Sequence, residues 1–239
     1  MKVFVIIPAA GLGTRMSAAS GAARGGQPTK QFAEIGGAPI IIHTIRRFGT
    51  SPRVGEIYVA LREQERERFQ MHMSQEHLRV KVQVVLGGES RQQSVANALN
   101  ALQAESHDVV LVHDAVRPFI DHEIIDNVVQ AVVKHGAAIA GVPAVDTIKQ
   151  VERTAEGAII TSTIPRERVV LAQTPQGFRF ELLKRAFDDA QKDGFAGTDE
   201  ASLVERNGQE VAVVMGSARN IKITTPADME LAEFFLTHK

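Results

Sequence analysis

Val3-Phe4-Val5-Ile6-Ile7-Pro8-Ala9-Ala10-Gly11-Leu12-Gly13-Thr14-Arg15-Met16 is the segment from which this chain is best read outward. Its first five residues are apolar and mostly β-branched, with nothing polar between them. Such a run suits a strand buried on both faces, the kind found inside parallel sheets. Similar runs recur at 56–61, 80–86, 109–113 and 137–142. Between them, 39–48, 63–75, 90–104 and 122–135 carry helical spacing. Ser90 with Gln93 suits a capping box, and Asp121 a helix N-cap. Strand, helix, strand in repetition predicts a doubly wound, mainly parallel α/β sheet with helices on both faces.

Beyond residue 142 the pattern changes. Residues 145–151 and 157–163 alternate apolar and polar side chains, with 152–156 between them as a turn, which predicts an antiparallel hairpin. Residues 169–173 can continue the sheet, and 180–192 read as a helix. A short helix over 199–207 stops at Gly208, 211–215 is a strand, and 226–236 closes the chain as a helix with Pro226 in its first turn. No repeat or domain linker interrupts the chain. The expectation is a single domain over 1–239 carrying a protruding β-hairpin arm at about 143–170.

Composition narrows the function. The 239 residues hold 27 basic and 28 acidic side chains, a net charge of −1, which argues against a broad nucleic-acid footprint. One Tyr and no Trp leave few base-stacking platforms. Cysteine is absent, which excludes disulfides, thiolate metal sites and thiol nucleophiles. No apolar run approaches the ~20 residues that span a bilayer, and the apolar start is too short for a secretory leader. A cytoplasmic enzyme or binding protein, touching neither membrane nor nucleic acid, is the expectation.

The glycine turn after the first strand lies where an open α/β sheet binds ligands. Its small residues let backbone approach a phosphate or a base, although a tight turn alone would look the same. Met16 stands where the dinucleotide fingerprint needs its third glycine, and no Gly-Lys-Ser/Thr follows. Arg15 and Lys30 add the cations that a triphosphate requires. His113-Asp114-Ala115-Val116-Arg117-Pro118 ends another strand on the same edge. There Asp114 suits a ribose hydroxyl or a hard Mg²⁺, or simply caps its loop. Gly87-Gly88-Glu89 with Ser94 makes a third turn on that edge. Arg166 and Lys222 supply cations for a second anionic substrate, whereas Lys149 reads as part of a solvated hairpin face. No Gly-x-Ser-x-Gly elbow is present, which disfavours acyl transfer.

Taken together, these blocks resemble the 2-C-methyl-D-erythritol 4-phosphate cytidylyltransferase family nearly end to end. The resemblance runs through 8–16, Lys30-Gln31-Phe32, Gly87-Gly88-Glu89 with Ser94, 112–118 and Asp146-Thr147-Ile148-Lys149. It continues through Gln173-Thr174-Pro175-Gln176, Thr198-Asp199-Glu200-Ala201 and Asn220-Ile221-Lys222-Ile223-Thr224. It implies a Rossmann-like nucleotidyltransferase fold and transfer of CMP from CTP to a sugar-alcohol phosphate, with Mg²⁺ required and pyrophosphate released. It also implies that Arg15 and Lys30 hold the triphosphate, with Lys222 beside the same phosphates. Ala9, Ala10, Gly11, Gly13, Gly88, Ser94 and Ala115 would surround the nucleotide, and Asp114 would lie by the ribose and the metal-bearing phosphates. Thr147 and Arg166 would grip the acceptor phosphate from the arm of a partner subunit, in a homodimer. This chain departs from the family in a longer, Ala/Gly/Ser-rich 17–29, where Thr29 separates Pro28 from Lys30. Residues 17–27 are accordingly expected to move until nucleotide binds, with Arg24 solvated. A ribitol 5-phosphate cytidylyltransferase and a non-catalytic nucleotide-binding regulator are the competing readings.

Overall fold

The computed structural model describes residues 1–11 and 29–238; Gly13, Arg15 and the whole of 17–27 lie outside the described residues. A seven-stranded sheet runs through β5 (Lys81–Leu86), β4 (Glu56–Leu61), β1 (Val3–Pro8), β6 (Val109–Val112), β10 (Val170–Arg179), β7 (Ala137–Pro143) and β11 (Ala212–Met215). All neighbours pair in parallel except β10, which is antiparallel to both β6 and β7.

The unbroken apolar run of β1 is explained by burial on both faces. Val3, Val5 and Ile7 pack with α1 (Ile40–Gly49) and α4 (His122–His135) on one side of the sheet. Phe4 and Ile6 pack on the other side with α3 (Arg91–Ala101), α5 (Phe180–Lys192) and α6 (Glu200–Arg206). Each such side chain contributes ~1.5–3 kcal/mol by leaving water. A third cluster joins Ile35, Val116, Phe119 and Ile223 to α7 (Pro226–Thr237), and so holds 116–119 beside 220–223.

Several expected boundaries shift. The 63–75 helix divides into a 3₁₀ turn and α2 (Arg66–Met73), and the 90–104 helix ends at Ala101. Only half the expected capping box forms at α3. The Ser90 hydroxyl accepts from the Gln93 N–H at 3.0 Å, while the Gln93 side chain accepts from the Glu89 N–H at 2.9 Å. Asp121 occupies the N-cap of α4 without a side-chain cap bond. The 169–173 segment is part of a longer strand that enters the sheet antiparallel. Pro175 offers no N–H, and the β10–β7 ladder is interrupted between Ala172 and Gln176.

The hairpin is present but shifted. β8 (Ile148–Thr154) and β9 (Gly157–Ile164) are joined by Ala155-Glu156 alone, so 152–154, expected in the turn, belong to the strand. A small hairpin, β2 (Glu34–Ile35) with β3 (Ala38–Pro39), was not anticipated. Its turn places Gly36 and Gly37 at φ +54° and +79°, the left-handed pair that a two-residue hairpin loop demands.

Candidate active site

The chain leaves β1 towards β4 on one side, while β6 pairs on the other, and such a divergence opens a crevice at the carboxyl edge of the sheet. A cleft of about 310 Å³ lies there. Among the described residues it is lined by nine of the expected site residues: Ala9, Ala10, Gly11, Lys30, Gly88, Ser94, Asp114, Ala115 and Lys222. Five separate segments of sequence contribute them. Thr147 and Arg166 do not line the cleft. Both sit exposed on the arm, where the Arg166 guanidinium donates to the Val145 carbonyl at 2.8 Å. Lys149 is a cross-strand partner of Thr163, its ammonium donating to that hydroxyl at 2.7 Å.

The loop after β1 is held from beneath. The buried Gln31 amide donates to the Ala9 carbonyl, and Arg62 Nε donates to the Ala10 carbonyl, each at 2.6 Å. Gln31 and Thr29 both reach the Glu65 carboxylate, which ties the approach to Lys30 onto the turn after β4. Gly87 closes the floor. A side-chain carbon there would fall 2.3 Å from the Ala10 methyl, so only glycine lets the two loops meet. The Gly88 N–H donates to the Ser94 hydroxyl at 3.0 Å, and that hydroxyl donates to the Ser90 carbonyl at 2.9 Å. Ser94 therefore shapes the turn that faces the cleft.

Asp114 is the charged centre of the site. Its carboxylate meets Lys222 Nζ at 2.8 Å, Arg91 Nε at 3.3 Å and Arg117 Nε at 3.4 Å. Burial alone would raise the Asp114 carboxyl, but Arg91, Lys222 and Arg117 outweigh it and hold it well below the usual carboxylate range. Arg117 also donates to the Asn220 carbonyl at 2.7 Å, and the Ile223 N–H donates to the Val116 carbonyl at 2.9 Å. These bonds bring Lys222 to Asp114.

Beside it, His113 is fully buried, edge-on to Phe48. Its Nε2 lies 3.0 Å from the Arg117 carbonyl, which can only accept, so Nε2 carries the proton. Its Nδ1 then accepts from the Thr174 hydroxyl at 3.1 Å, and the same hydroxyl accepts from the Asp114 N–H at 3.1 Å. Burial, the largest influence, pushes the imidazole down to about 4.

Sequence reasoning did not single out Arg62 or Arg91, and it named Glu200 only within the family-like Thr198-Asp199-Glu200-Ala201 block, with no task. Arg62 directly follows β4, and Arg91 opens α3 after the Gly87-Gly88 turn, so the rule that ligands bind at strand ends could have marked both. Glu200 carried no local signal of its own. For a metal, no cluster of three or more His, Asp or Glu side chains exists among the described residues. Asp114 and Glu89 are the carboxylates of the cleft wall among those residues.

A doubly wound sheet whose glycine turn and converging cations share one carboxyl-edge cleft is the architecture of a nucleotidyltransferase. The IspD family model, 2-C-methyl-D-erythritol 4-phosphate cytidylyltransferase, matches residues 3–238. A protein of that name from Acidobacterium capsulatum is 59% identical over 100% of this chain and 99% of its own length. Another from Solibacter usitatus is 55% identical over 99% of this chain and 96% of its own length. The crystal structure of Francisella tularensis 2-C-methyl-D-erythritol 4-phosphate cytidylyltransferase superposes with a TM-score of 0.79 at 34% identity, covering 98% of this chain and 99% of that one.

The chain belongs to the 2-C-methyl-D-erythritol 4-phosphate cytidylyltransferase family. It is a transferase of isoprenoid precursor synthesis, moving the cytidylyl group of CTP to 2-C-methyl-D-erythritol 4-phosphate. Neither ribitol phosphate transfer nor a regulator without turnover is favoured by these matches. No helix among the described residues is long and apolar enough to cross a membrane.

Proposed function

We propose that the Asp114 cleft is the reaction centre and that the arm of a second subunit completes it. The observation that carries the reading is the 2.8 Å pair of Lys222 with buried Asp114, in the same cleft as Lys30 and the 9–11 loop. In the reaction, an acceptor hydroxyl oxygen attacks the α-phosphorus of CTP. The bond from that phosphorus to the oxygen bridging to the β-phosphate breaks, pyrophosphate leaves with its electron pair, and the acceptor's hydroxyl proton passes to solvent. Lys30 and Arg15 hold the triphosphate, and Lys222 faces the charge that builds on the transferring phosphate. The pinned 9–11 loop, Gly13, Gly88, Ser94 and Ala115 surround the base and ribose. The chain positions its substrates and needs no covalent nucleophile.

The cleft suits Mg²⁺. Asp114, beside its Lys222, Arg91 and Arg117 partners, would offer the ion one carboxylate, with phosphate oxygens and water as the remaining ligands. When bound, Mg²⁺ neutralises the triphosphate and the departing pyrophosphate. Thr147 and Arg166 lie off the cleft of their own chain and on an exposed arm, which supports their reaching the acceptor phosphate of a partner subunit in a homodimer. The whole of 1–239 then works as one cytidylyltransferase domain with its arm at about 143–170, in the cytoplasm.

Subunit mixing tests this reading. Lys222→Ala, nearly inactive, and Arg166→Ala, weak at acceptor concentrations far below its raised KM, are unfolded together, refolded as an equal mixture and assayed at such a concentration. Because each mixed dimer contains one intact site, roughly a quarter of wild-type activity should return. A mixture no more active than its parents would overturn an arm working across the dimer.

A further inference from the structure

Arg91 lines the cleft, and an arginine beside a triphosphate site would ordinarily be assigned to phosphate. Its surroundings give it other work. Its two terminal nitrogens lie 2.6 and 3.0 Å from the two carboxylate oxygens of Glu200, 109 residues away, and its Nε faces Asp114. Glu200 is 1% exposed, so its charge meets Arg91 rather than water.

Glu200 is also held rigidly. It is the first residue of α6, whose N-cap Asp199 closes a reciprocal capping box with Ser202. The buried Gln176 amide on β10 donates to the Asp199 carboxylate at 2.7 Å, and its carbonyl accepts from the Ala201 N–H at 3.0 Å. Two residues earlier on β10, Thr174 receives the Asp114 N–H. The carboxylate that fixes Arg91 and the carboxylate that Arg91 fixes therefore hang from one strand.

We propose that Glu200 is a positioning residue for the transfer reaction. It occupies the terminal donors of Arg91 and leaves Nε to hold Asp114 where that carboxylate in turn holds Lys222. Among the five charged groups, Glu200 offsets one of the three cations around Asp114. Without it, Arg91 either turns fully onto Asp114 and displaces Lys222, or swings towards the triphosphate and competes with Lys222 for it. The Thr198-Asp199-Glu200-Ala201 block, for which the sequence offered no task, acquires one.

The test measures kcat and the KM for CTP in Glu200→Gln, Arg91→Leu and the double variant. This rests on the assignment of Lys222 to the reaction centre, so Lys222→Ala is measured beside them. Glu200→Gln should lower kcat roughly 10–100-fold, the scale seen when groups behind a direct ligand are removed, with the KM for CTP unchanged or lower. In the Arg91→Leu background, Glu200→Gln should add no further loss. If Glu200→Gln does not fold, the paired Glu200→Met/Arg91→Met variant carries the test. Apolar volume replaces the buried Glu200 charge together with its half-buried partner, so the fold should persist, and its kcat should fall to the same extent. Wild-type kcat in a folded variant, or independent losses in the double, overturns the inference while Lys222→Ala stays inactive. Full activity in Lys222→Ala would instead overturn the site assignment beneath it.

Discussion

Asp114 and Arg166 are both assigned to the handling of anionic substrates, yet their surroundings have little in common. Asp114 is 7% exposed and meets three cations that arrive from α3, its own loop and the 220–223 segment. Arg166 stands on a short 3₁₀ turn in the open, bonded to a neighbouring carbonyl. Elsewhere, too, the arm exposes apolar side chains, Val145 at 77%, Ile159 at 63% and Ile160 at 60%. The cleft is preorganised: its charges are oriented by other charges before any substrate arrives. The arm has a firm hairpin ladder and an uncovered surface, the combination expected of an element whose task needs another body. One region is sensitive to the removal of any member, the other to what covers it.

The largest effect should come from the cleft. Lys222→Ala leaves Asp114 still facing Arg91 and Arg117, so the fold should persist. What disappears is the cation on the transferring phosphate, and kcat should fall by ~10³ or more. Stopped-flow or coupled pyrophosphate release measures it. A loss below tenfold would mean that the interlocked charges serve the fold and that catalysis lies elsewhere.

Acid should separate the two regions next. His113 is neutral and buried, with its value lowered from 6.5 to about 4 by burial. A group depressed on folding binds its proton in the unfolded chain first. Its contribution is complete above about 6.5 and is lost as pH falls towards about 4, a total of roughly 3 kcal/mol. The charged groups facing it, Asp114, Arg117 and Arg91, keep their charges through that window. Urea unfolding of wild type and His113→Gln across that range should show the steeper fall in wild type. Parallel curves would mean that His113 is not the group that titrates. The arm, at about 143–170, holds no histidine.

The contrast also sorts what could be read beforehand. Both-face burial leaves near-continuous apolar runs, so β1, β4, β6 and β7 stood out from their own residues. Strand direction leaves no such trace, and the antiparallel entry of β10 between β6 and β7 was hidden. In the site, residues attached to glycine turns or strand ends were legible, which covers Ala9 to Gly11, Gly88 and Asp114. Partnerships across long separations were not. Arg91 looks like any helix arginine until Glu200, 109 positions on, is brought against it. Gly36-Gly37 is a miss of another kind, since a hairpin signal was present in plain sequence.

The smallest effects should lie on the arm, and they sharpen the comparison most. Arg166→Ala should raise the acceptor KM roughly 10–100-fold with the KM for CTP unmoved, because a charge-assisted phosphate contact of ~1.5–3 kcal/mol is lost at one substrate only. Lys149, on the same arm, donates to Thr163 and belongs to an exposed cross-strand pair. Its replacement by Ala should change stability by less than ~0.5 kcal/mol and neither KM by more than about twofold. Steady-state kinetics with each substrate varied, and a thermal melt, separate the outcomes. Were Lys149→Ala to raise the acceptor KM as Arg166→Ala does, the arm would present a basic surface to the acceptor rather than one arginine. It would then resemble the cleft in using several cations on one anion, and the difference between the regions would reduce to burial.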